Sequence, residues 1–143
     1  MRHILIFAII LASHTLYSQT GPQPIDAALE ACLEIADNQT TQGMIECVRT
    51  AEKAWDAEMN VAYRNLLSVL TPEEADLLRS AQKAWLSYRD KEMPFAGTIY
   101  TNLGGTMWLV EAAFRNYEIV RSRCMELQSY YTIVAENKVL EEE

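Results

Sequence analysis

One apolar stripe constrains this chain more than any other feature. From Met44 through Cys47 or Val48, Ala51, Trp55, Met59, Ala62, Leu66 and Val69, apolar residues recur at steps of three or four. Side chains at that spacing share one face of an α-helix, and a stripe this long needs a partner surface to bury it. The stripe predicts a helix from about Thr41 to Leu70. The sequence TPEE follows at once, with Thr71 as N-cap, Pro72 at the first helical position and Glu74 closing a capping box. A third helix therefore starts here and runs to about Glu92, where Pro94 kinks or ends it. Residues 95–102 leave room for further turns before the Gly104–Gly105 break.

The last helix is predicted from near Thr106 to about Glu136. Its stripe is Val110, Ala113 or Phe114, Tyr117, Val120, Cys124, Leu127 and Tyr131. Ahead of these lies a short helix, Ile25 to about Asp37, with Leu29, Cys32, Leu33 and Ala36 on one side, and then the turn DNQTTQG. Five Gly and four Pro in 143 residues leave little punctuation for an all-β fold. Short connections between amphipathic helices favour antiparallel neighbours. The expected fold is all-α: a mostly antiparallel bundle of three long helices plus a short N-terminal one, in a single domain over 19–143. No second domain, repeat or low-complexity segment interrupts it.

The opening MRHILIFAIILASHTLYSQ has a basic start at Arg2, an apolar run from Ile4 to Ala12 and a polar exit. That is the pattern of a secretory signal peptide, read over 1–18 with cleavage after Ser18. No Cys precedes Cys32, so no lipid anchor is expected, and the run is too short for a membrane span. The mature protein is expected in the periplasm or outside the cell. Removing Arg2 and no acid takes the formal charge from −8 to −9. Nucleic acid and anionic membranes attract basic surfaces, so neither is an expected partner, whereas a cationic one is permitted.

Both histidines, His3 and His14, lie in this leader. Their removal excludes Ser-His and Cys-His nucleophile pairs and His-ligated zinc from the mature chain. Glu73, Glu74 and Asp76 sit where a helix dipole favours acids and lack the pattern of a calcium loop. No catalytic residue, cofactor or metal is therefore assigned, and the chain is not expected to be an enzyme.

Cys32 and Cys47 lie at similar distances on either side of the 37–43 turn, which puts them opposite one another in an antiparallel hairpin. In an oxidising compartment a disulfide is expected there, the alternative being two unpaired thiols. Cys124 falls inside an apolar stripe and is expected to be free and buried.

Polar residues also fall at core-facing positions. In AQKAWLSYRD (81–90), Gln82 and Arg89 share a face with Leu78, Trp85 and Tyr88. An unpaired buried charge is costly, so Arg89 needs a partner, with Asp56 or Asn60 on the preceding helix favoured and Glu92 one turn along. Asp56, Asn60, Gln82 and Arg89 are thus expected to form a buried polar network fixing how two helices meet; the alternative is a ligand site.

The same residues carry a family resemblance. AWDAEMNVAYRNLL (54–67), LRSAQKAWLSYRD (78–90) and GGTMW (104–108), with Cys32 and Cys47 upstream, resemble the LprI-like N-terminal domain. That family comprises exported bacterial helical domains, and its named member is a lipoprotein inhibitor of lysozyme. Many members carry a Cys where this chain has Met93, so a second disulfide is not expected. The resemblance implies an exported, non-catalytic binding protein that inhibits lysozyme, with a cationic lysozyme as partner. The alternative is a structural or accessory envelope protein with another partner. If the motif is spent on the core, contact falls elsewhere, and Tyr100 and Asn102 on the segment joining the last two helices are the expected contact residues.

Overall fold

The stripe over residues 44–69 is a helix, and its partner is the last helix of the chain. The computed structural model describes residues 23–141; the expected signal peptide lies outside the described residues. Four α-helices follow in order: α1 Pro24–Glu34, α2 Thr41–Val69, α3 Pro72–Asn102 and α4 Met107–Glu141. A single 3-10 turn, Ala36–Asn38, joins the first two. The described residues contain no strand, and the fold is an all-α, mostly antiparallel bundle.

Local chemistry sets the boundaries. Thr40 caps α2 by accepting a hydrogen bond from Gly43 N at 3.0 Å. Gly43 is required for space: a Cβ there would lie 2.6 Å from the backbone of Asn38, whose side-chain Nδ2 donates to Cys32 O at 2.9 Å. The TPEE capping box forms as expected, with Thr71 N donating to Glu74 at 2.8 Å. Gly104 and Gly105 turn the chain into α4 at φ of 73° and 88°, a region glycine enters without strain.

The ends of α1 and α4 differ from expectation, and the choice left open at Pro94 is settled. α1 stops at Glu34 because Ile35 takes an extended conformation. α3 runs through Pro94 to Asn102, so the last connection shrinks to Leu103–Thr106. α4 continues to Glu141.

The core lies between α2 and α4. Val48, Trp55 and Leu66 of α2 face Val120, Cys124 and Leu127 of α4, each at most 2% exposed. α1 lies along α2, and the Cys32–Cys47 disulfide joins them, with Cα atoms 5.8 Å apart. α2 and α4 form the central pair: α1 packs on α2, α3 rests on α4, and α2 and α3 meet only slightly. On α3 only Ala75 and Ala96 are buried, while Leu78, Trp85 and Met93 are partly covered. The face expected to be core is therefore half open.

Candidate functional site

That half-open placement changes what the motif residues do. Asp56, Asn60, Gln82 and Arg89 do converge, on the walls of one groove between α2 and α3. They are not buried, which corrects the expected buried network: among the described residues no polar or charged side chain is fully buried. The reason is the position of α3, which leans on α4 and leaves a gap to α2.

Within the groove the favoured Arg89–Asp56 pair forms, beside partners that were not expected. Arg89 reaches Asp56 at 3.5 Å, donates twice to its neighbour Asp90 at 2.8 and 3.0 Å, and lies over the Trp85 ring at 5.6 Å. Asn60 turns its amide to the backbone of Asp56 instead. Gln82 accepts from Arg123 of α4 at 3.0 Å, and Arg123 also pairs with Glu126. Glu92 takes Arg115 rather than Arg89, at 3.0 Å. Burial raises the carboxyl of Glu52 in an adjoining pocket that shares Asp56 and Arg89 with the groove; Arg49 opposes that rise, and Asp56 adds to it by repulsion. The arrangement is a solvent-accessible ion-pair lattice, able to hold helices in register and to meet a polar partner.

The most closely bonded polar cluster lies elsewhere. Asp26, in the first turn of α1, accepts from Trp55 Nε1 at 3.0 Å and from the Tyr117 hydroxyl at 2.5 Å. Arg121 Nε approaches its two oxygens at 3.1 and 2.9 Å, and a terminal nitrogen of Arg121 binds Oδ2 at 2.6 Å. The guanidinium also lies over the Trp55 ring, 5.5 Å from its centroid. Burial alone would raise the Asp26 carboxyl, but the hydrogen bonds from Arg121, Tyr117 and Trp55 outweigh it and hold it below its usual value. Burial, and then the bond to Asp26, push Tyr117 up to about 12. One carboxylate thus pins α1 to α2 and α4. The sequence signal was Trp55 itself, since an indole N–H at the centre of a core stripe must find an acceptor.

Cys124 is free and buried, and burial pushes its thiol up to about 11, which keeps it unreactive.

The expected contact residues sit on the other flank of α3. Tyr100 is half-buried and stacks on Trp108 at 6.1 Å, and Asn102 is exposed at the last turn of the helix. Tyr100 opens onto a second groove, along the seam of α3 and α4, with Phe114, Arg115, Glu111 and Glu118. Arg115 is engaged by Glu92, whereas Glu111 and Glu118 make no ion pair among the described residues. This groove therefore offers two free carboxylates beside two aromatic rings, a setting suited to ammonium or guanidinium groups.

A family model described as "Lysozyme inhibitor LprI" matches residues 32–127. The chain belongs to the LprI family. The LprI match begins at the first disulfide cysteine and ends at Leu127, the last fully buried residue of α4, so it spans the α2–α4 core and both grooves. Asp26 lies just outside it. The chain is also similar to a solved structure, an uncharacterised protein from Burkholderia thailandensis, at 28% identity and a TM-score of 0.76. That likeness covers 80% of this chain and 56% of the other, so the chain spans little more than half of that relative. No match was found among curated proteins.

Proposed function

We propose that this chain is an exported, non-catalytic protein that binds and inhibits a lysozyme of basic charge. The observation that carries the reading is membership of the LprI family over residues 32–127. The formal charge of −8 supports it, because opposite charge steers association with a cationic enzyme. The Cys32–Cys47 disulfide supports export, since such bonds persist in oxidising compartments. Removal of a signal peptide at residues 1–18, and release into the periplasm or beyond, belong to the same reading.

The α3–α4 seam is the surface of contact in this reading. Tyr100 and Phe114 provide ring faces and edges, Glu111 and Glu118 provide unpaired negative charge, and Asn102 extends the polar rim. Lysine or arginine side chains of the enzyme would enter between them. The test is titration of immobilised basic lysozyme with the wild type and with a Glu111→Lys, Glu118→Lys variant. Weaker, less salt-sensitive binding by the variant is expected. Equal binding by both would move the contact off this seam, and no binding by either would leave an envelope protein with another partner.

A further inference from the structure

We infer that the free end of the α3–α4 hairpin is a self-association surface, through which two copies of this chain form a reversible, two-fold symmetric dimer. The inference does not depend on the lysozyme reading. Residues 93–110 contain no Asp, Glu, Lys or Arg, the longest such run among the described residues of a chain that is 22% charged. Within it Phe95 and Ile99 of α3 and its C-cap residue Leu103, still in helical conformation, follow one another at four-residue steps and so form one ridge. Met107, Trp108 and Leu109 stand just past the turn, and the stacking of Trp108 on Tyr100 holds the two limbs together.

These six side chains are between 38% and 63% exposed. Taking about 200 Å² for each when fully open, they present roughly 600 Å² of apolar surface, at the upper end of what monomers leave uncovered. Ordinary interfaces remove about 800 Å² per partner, and weak ones about 600 Å² or less. The area therefore suits a weak, reversible dimer. A self-complementary patch closes as a pair and does not propagate.

Charge decides between occupants. Two copies each carrying −8 repel wherever acids face acids, and this uncharged end is where they meet without that penalty. A basic partner gains little from these six apolar side chains, because the carboxylates that would attract it, Glu111 and Glu118, lie along the seam beyond them. An anionic bilayer repels the chain as a whole and finds no Lys or Arg on this end to attract it.

Sedimentation velocity over a range of concentrations tests the proposal, using the wild type, a Phe95→Glu, Met107→Glu variant, and Leu77→Glu as a control. Leu77 is 68% exposed on the same helix but far from its free end. The wild type should dimerise with rising concentration, at least as well in moderate salt as in low salt. The double variant should associate at least tenfold more weakly, and Leu77→Glu should match the wild type. Should the glutamates lower the melting temperature, Phe95→Ser with Met107→Ser gives the same reading. A wild type that stays monomeric at several hundred micromolar would overturn the proposal. So would a dimer that the double variant leaves intact, or a monomer that instead floats with neutral lipid vesicles.

Discussion

At the scale of single residues, the two arginine–aspartate pairs separate by the burial of the aspartate and by how closely it is bonded. Arg121 and Asp26 are 28% and 15% exposed and share four polar groups in one cluster, whereas Arg89 and Asp56 are 25% and 45% exposed at 3.5 Å. Hydrogen bonds to a charged group contribute about 1.5–3 kcal/mol, while exposed pairs contribute about 0–1 kcal/mol. Asp26→Ala should therefore lower stability by about 2–3 kcal/mol and Arg89→Ala by no more than about 1 kcal/mol, as read from urea midpoints. Linkage gives a second test. The Asp26 carboxyl is depressed in the folded state, so its contribution is complete above the ordinary value of 3.8 and is lost as pH falls below it. Tyr117 is raised, so its contribution is complete below its ordinary value of 10.0 and is lost as pH rises towards about 12. Asp26→Ala should flatten the acid limb of the stability profile, and Tyr117→Phe the alkaline limb.

Helices are the scale at which the sequence was most legible. The α2 stripe, the TPEE cap and the Cys32–Cys47 hairpin could all be read, because each rests on spacing along one chain. The sequence leaves the extent of α3 open, since Pro94 can either kink the helix or end it, with residues 95–102 free to add turns. Proline removes one backbone hydrogen bond, but a peripheral helix with a solvated side absorbs that loss, and α3 continues eight residues beyond Pro94 to Asn102. Pro94→Ala should raise the melting temperature, equivalent to about 1–3 kcal/mol. The disulfide belongs to this scale as well. It closes a separation of 15 residues, so reduction should lower stability by about 3 kcal/mol. Cys124, inside the α2–α4 core, should remain inaccessible to thiol reagents until the protein unfolds.

At the scale of the whole molecule, periodicity showed which residues of α3 share a face but not how deeply that face is covered. Gln82 and Arg89 line one groove with Asp56 and Asn60, and that groove is open because α4, not α2, carries α3. Asp26 escaped notice because its partners come from three separate helices, a convergence that spacing along one helix cannot reveal. The proposed contact surface follows the same logic: Tyr100 can be named from the sequence, but Glu111 and Glu118 join it only once α3 and α4 are paired. Inhibition of a basic lysozyme is the central claim, and lysis of bacterial cell walls measures it directly. Increasing amounts of the purified protein should slow lysis by a basic lysozyme, and more strongly at low salt, because screening sets in over about 8 Å at physiological ionic strength. Undiminished lysis at both salt levels, with the protein in large molar excess, would contradict the account.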